Sequence, residues 1–121
     1  MNIMPSPKES RTASPSRPLP EYDVTVVLNL HNEARYLKRT LLSLKDAVRY
    51  ARQFDITFEI VVVLDNADNA TVELAEAFDY AAFDAFQIIH VGNGSLGPSR
   101  NDGIEVARGE YIATADGDDL V

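Results

Sequence analysis

The chain has 121 residues, of which 45% are hydrophobic, no cysteine, and a formal charge of −8. That is enough for the core of one small domain, and it excludes disulfides, thiolate nucleophiles and thiolate metal sites. The acidity argues against nucleic-acid and anionic-membrane partners, and no apolar run approaches the ~20 residues that span a bilayer.

Residues 1–20 read as a disordered tail: Pro5, Pro7, Pro15, Pro18, Pro20 and four serines, with no apolar periodicity. Lys8, Arg11 and Arg17 against Glu9 leave this tail at +2, so residues 21–121 carry −10. The tail has no apolar stretch of the secretory kind, and the absence of cysteine suits a reducing compartment, so a cytoplasmic location is expected. In the folded part, 24–30 is a β-branched-rich run that reads as a buried strand. Asn32 follows as a helix N-cap with Glu33 in the first turn. Leu37, Leu41, Leu44, Val48 and Ala51 then recur at helical spacing, with Lys45, Arg49 and Arg52 placed late, where cations suit the helix dipole. A second strand is predicted over 57–64, a polar turn over 65–69 and a helix over 70–82. A third strand, 86–91, runs into the glycine-rich loop 92–97. Pro98 suits the start of a third helix that ends near 108–109, and 110–115 is a fourth strand.

The order β-α-β-α-β-α-β predicts an α/β fold of Rossmann-like type, a mainly parallel sheet with helices on both faces. Ligands of such sheets bind outside the carboxyl ends of the strands. The residues there are 30–32, 65–68, 92–100 and 116–119, so most of the unusual polar residues converge on one edge. Asp116, Asp118 and Asp119 repel one another unless a cation or several donors compensate, and hard oxygen ligands of this kind suit Mn²⁺ or Mg²⁺. A solvated acidic turn is the plainer alternative, and the position on the ligand edge near Asp65 and Asp68 favours metal. A rival reading exists: Gly92, Gly94 and Gly97 match G-x-G-x-x-G after a strand, with Asp116 at the next strand's end, as in an NAD-type dinucleotide-binding domain. Against it, two strand-helix units precede the loop, and three clustered carboxylates oppose a pyrophosphate. A non-enzymatic α/β module of receiver type, with Asp65 as phosphoacceptor, is a further alternative.

Taken in order, four segments carry a family likeness: His31-Asn32-Glu33 after the first strand, Asp65 after the second, Asn93, Gly97, Arg100, Asn101 and Gly103 in the third loop and helix, and Gly109-Glu110-Tyr111-Ile112 before the acidic motif. Residues 24–120 resemble the N-terminal, nucleotide-sugar-binding half of family 2 glycosyltransferases of the GT-A fold. Asn29 stands where that family often has proline, His31 where it often has tyrosine, and a usual pair of acids is reduced to Leu64-Asp65. The resemblance implies an inverting transfer from a nucleotide-diphosphate sugar, a UDP-sugar foremost, to a glycan, lipid or protein acceptor. It implies donor contacts by His31, Asn32, Glu33, Asp65, Arg100 and Asp116, with Asp65 accepting from the nucleobase. Asp118 and Asp119 would hold the Mn²⁺ or Mg²⁺. For Asp65 an Asx turn, for His31 a loop residue, for Asn32 a cap and for Arg100 a salt bridge to an acidic-cluster residue are the competing structural roles. The general base is a carboxylate of the family's second half, so the 121 residues alone are expected to bind donor weakly and to transfer little. Membrane association through a region outside this stretch stays open.

Overall fold

The computed structural model describes residues 2–5 and 19–117. Its elements are β1 (Asn2–Pro5), β2 (Tyr22–Leu30), α1 (Ala34–Ala51), a 3₁₀ turn (Arg52–Phe54), β3 (Phe58–Asp65), α2 (Asn69–Ala77), β4 (Ala85–Val91), α3 (Leu96–Val106) and β5 (Gly109–Asp116). They form one five-stranded sheet in the order β1-β5-β2-β3-β4. β5, β2, β3 and β4 run parallel, and β1 joins β5 antiparallel. No helix among the described residues is long and apolar enough to cross a membrane.

β2 and β3 are near-continuous apolar runs because both faces are covered. Val26, Leu28, Leu30, Ile60, Val62 and Leu64 pack with Leu37, Leu41, Leu44 and Val48 of α1 and Ala75 of α2. The alternate residues Val27, Val61, Val63 and Ile112 face the other way, against Ile104 and Val106 of α3. Helices therefore lie on both faces, as the alternation predicts. Full burial of each leucine of the α1 stripe contributes roughly 1.5–3 kcal/mol. α3 sits close to the sheet because Gly103 carries no side chain. A Cβ there would meet Val27 Cγ1 at 2.5 Å and Val63 Cγ2 at 2.9 Å.

Three local expectations change. Residues 2–5 form a strand where disorder is expected, with Ile3 opposite Ala113 and Met4 opposite Ile112. This short extended segment pairs antiparallel with the ladder of N–H and C=O groups on the outer side of β5. Asn32 is not a cap: α1 starts at Ala34 behind Glu33 without a side-chain cap, and Asn32 Oδ1 accepts from Asp68 N at 3.1 Å instead. α2 stops at Ala77 rather than near 82. The Tyr80 hydroxyl folds back to donate to the Ala75 carbonyl, and Tyr80 and Phe83 enter the core from a turn. At its other end α2 is capped by Asp68, whose Oδ1 accepts from Thr71 N at 2.9 Å.

At the amino-terminal end of the sheet Glu59 is fully buried. Its Oε1 accepts from Thr25 Oγ1 (2.8 Å) and Arg108 N (2.9 Å), and its Oε2 accepts from Gln87 Nε2 and Arg108 Nε (each 2.9 Å). Arg108 in turn lies over the Tyr22 ring and pairs with Glu21. Burial pushes the Glu59 carboxyl up, but the Arg108, Gln87 and Thr25 hydrogen bonds outweigh it and hold the group below its ordinary range.

Candidate functional site

The chain runs outward from β2 through β3 to β4 and then returns to the opposite side of β2 as β5. The reversal lies between β2 and β5, and it is there that open α/β sheets bind ligands. Strand alternation puts Asn29, Asp65 and Asp116 on the α3 face at the carboxyl ends, and Asn29 is the register partner of Asp116.

Asp65 builds the wall of the site. Its Oδ1 accepts from Asn93 N and Gly94 N, both at 2.9 Å, and its Oδ2 accepts from Ser99 Oγ at 2.7 Å. One carboxylate thus pins the 92–95 loop, which turns at Gly94 with φ +69°, and the first turn of α3. The Gly94 N–H first, then the Ser99 hydroxyl and the Asn93 N–H, hold its carboxyl below the ordinary range. Its backbone carbonyl faces His31 Nδ1 at 2.7 Å. A carbonyl only accepts, so Nδ1 carries the proton, and Nε2 is left to accept from Asn32 Nδ2 at 3.4 Å. Glu33 Oε1 accepts from His31 N at 3.0 Å, and Glu33 N donates to Thr71 Oγ1 at 3.1 Å. The turns after β2 and β3 are thereby laced together.

Gly117 holds the end of β5 in place. Its N–H donates to the Asn29 carbonyl at 3.1 Å, and its carbonyl accepts from Thr40 Oγ1 of α1 at 2.7 Å. A Cβ at this position would lie 2.4 Å from Glu33 Cγ and 2.6 Å from Leu30 Cδ2, so only glycine fits. The backbone that leads into Asp118 and Asp119 is clamped between β2 and α1; both aspartates lie outside the described residues. Among the described residues no three His, Cys, Asp or Glu side chains gather closely enough to hold a metal ion.

His31, Glu33, Asp65 and Asp116 line a cavity of about 360 Å³, with Asn29 and Ser99 as further walls. Asn32 and Arg100 lie outside the lining. Arg100 contacts Asp116 at 3.7 Å, a charge pair too long for a hydrogen bond. Sequence reasoning missed Asn29 as a site residue. It is only 5% exposed, and neither its Oδ1 nor its Nδ2 has a hydrogen-bond partner. The available signal was an amide standing in a run of valines and leucines at a strand's carboxyl end.

The geometry weakens the rival readings. In a dinucleotide fingerprint the loop N–H groups face a pyrophosphate and the third glycine allows close helix packing. Here the Asn93 and Gly94 N–H groups are spent on Asp65, and a Cβ at Gly97 would meet nothing within 4 Å. A phosphoacceptor must present a free oxygen, whereas Asp65 is 7% exposed and both oxygens are engaged.

Comparison with known proteins agrees. The model of glycosyl transferase family 2 matches residues 25–121. The uncharacterized glycosyltransferase EpsJ of Bacillus subtilis is 37% identical over 99 residues, 81% of this chain and 26% of that protein. The cholesterol galactosyltransferase of Borreliella burgdorferi is 31% identical over 84% of this chain and 26% of its own length. The chain therefore spans about a quarter of these relatives. Among solved structures, S. aureus TarS superposes with a TM-score of 0.64 at 25% identity, over 81% of this chain and 28% of TarS residues 1–349, and it has been solved with UDP. With this sheet order, helices on both faces and a match across nearly all the folded residues, the chain belongs to glycosyl transferase family 2.

Proposed function

We propose that the cavity at the β2–β5 reversal receives the nucleotide of a nucleotide-sugar donor, a UDP-sugar, for an inverting glycosyl transfer. The observation that carries this reading is the convergence of His31, Glu33, Asp65 and Asp116 on that one cavity, in a fold shared with a protein solved with UDP. Asp65 supports the wall against which the base rests, and the His31 ring closes one side. Arg100, at the first turn of α3, stands beside Asp116 as the nearby cation for a donor phosphate. The acceptor, whether glycan, lipid or protein, and the general base belong to residues other than these.

The walls themselves are acidic, with Glu33, Asp65 and Asp116 around the space, so a diphosphate needs counter-charge to enter. That requirement fits Mn²⁺ or Mg²⁺ held by Asp118 and Asp119 just beyond the Gly117 clamp. Such an ion would supply positive charge to offset that of a departing nucleoside diphosphate. Calorimetric titration of UDP with and without Mn²⁺ tests the reading, with NAD as the control and Asp118→Asn as the check on the acidic motif. Binding that requires Mn²⁺ and is lost in the variant is expected. Metal-independent binding of NAD would overturn it.

A further inference from the structure

The Asn29 amide is the one buried polar side chain in the cavity wall that shows neither a donor nor an acceptor contact among the described residues. Asparagine in a buried strand costs stability unless its amide is paired, and an apolar residue of the same shape would avoid that cost. By contrast, the adjacent carbonyl of Asn29 takes the Gly117 N–H, and Asp65 on the next strand takes three donors. An amide presents an N–H donor and a C=O acceptor from two coplanar atoms side by side. A phosphate only accepts, so it would leave Oδ1 unmet, and it would sit among Glu33, Asp65 and Asp116. A single hydroxyl offers one atom where the amide asks for two. The planar imide edge of a nucleobase, an N–H beside a C=O as in uracil or guanine, answers both.

We propose that Asn29 reads the nucleobase of the donor, donating from Nδ2 to a ring carbonyl and accepting at Oδ1 from the ring N–H. This rests on the donor-site reading above and adds a base contact on the strand beside Asp65, whose Oδ2 accepts from Ser99 alone. Asn29 lines the cavity together with His31, Asp65 and Asp116, so its side chain borders the space that the ligand would fill. Because the amide is sealed from water before the ligand arrives, its new hydrogen bonds are not offset by lost hydration. A site built this way penalises a ligand that lacks the matching group.

The experiment measures Kd by calorimetry for UDP, GDP and 3-methyluridine diphosphate, all with Mn²⁺, in the native chain and in Asn29→Leu and Asn29→Ala. Leucine keeps the shape of the side chain, and alanine cannot overpack the strand. The native chain is expected to bind UDP or GDP, whichever base fits, and methylation at N3 is expected to weaken UDP binding about tenfold if uracil is the base. Both variants are expected to weaken the preferred nucleotide about tenfold and to lose the N3-methyl penalty, while Asn29→Leu melts at a higher temperature than the native chain. If the native chain binds and the variants bind equally well with the same preference, Asn29 is a structural residue and the inference falls while the donor-site reading stands. If the native chain binds no nucleotide, the donor-site reading falls and takes this inference with it.

Discussion

Two buried carboxylates six residues apart on β3, facing the same side of the sheet, are treated in different ways. Glu59, at the amino end, is matched by the Arg108 cation and by neutral donors, and that end of the sheet is closed to further chemistry. Asp65, at the carboxyl end, receives only neutral N–H and O–H groups, so its charge is ordered without being cancelled, and beside it the Asn29 amide stays unmet. The contrast separates stability from readiness. One end uses its polar groups to complete the fold, and the other holds them fixed for a ligand at some cost to the fold.

The largest expected effect lies at the closed end. Arg108→Met leaves the Glu59 charge buried without its cation and should destabilise by about 3 kcal/mol in urea unfolding, with nucleotide affinity per folded molecule unchanged. Acid sharpens the same test. Glu59 is held below its ordinary value of 4.5, so its contribution is complete above that pH and is lost as pH falls through the folded-state value. Removing Arg108 raises that folded-state value towards 4.5, which narrows the window between the folded and unfolded values, so the stability lost on acidification should be smaller in the variant. An unchanged acid limb would show that the neutral donors alone hold the charge.

Gly103→Ala should come next, because its Cβ would press on buried Val27 and Val63 and force α3 outward, at about 1–3 kcal/mol. Since α3 carries Ser99 and Arg100, UDP affinity should fall as well. Stability lost without any loss of affinity would show that the pocket tolerates movement of the helix. The smallest effect is expected for Ser99→Ala, which removes one donor from Asp65 and should cost about 1 kcal/mol. The Asp65 carboxyl should titrate at higher pH in this variant when followed by carbon-13 NMR. An unchanged titration would mean that the Gly94 and Asn93 N–H groups suffice.

Much of this was legible in the sequence, since the alternation of β-branched runs and helical stripes gave the strands, the helices and the edge on which Asp65 and Asp116 meet. What escaped was pairwise. Asn32 and Asp68 are both good caps by type, and only the geometry shows that Asp68 caps α2 while Asn32 braces it. The apolar pattern continues past Ala77, but Tyr80 and Phe83 satisfy it from a turn. β1 is too short to signal itself, and only its pairing with β5 marks it as a strand. Asn29 looked like a blemish in a strand because whether an amide finds a partner is a property of its neighbours in space.

The order of strands also has a consequence for how the protein is made. β2 is synthesised before β3 and β4, and it can pair on one side with β3 as soon as residues 58–65 follow. Its other side must wait for β5, and Asn29 cannot meet Asp116 until residue 116 has been made. Contacts so distant in sequence form late. On the ribosome, the binding cleft then assembles only after β5 has been made, and until that point one flank of the central strand stays open to other partners.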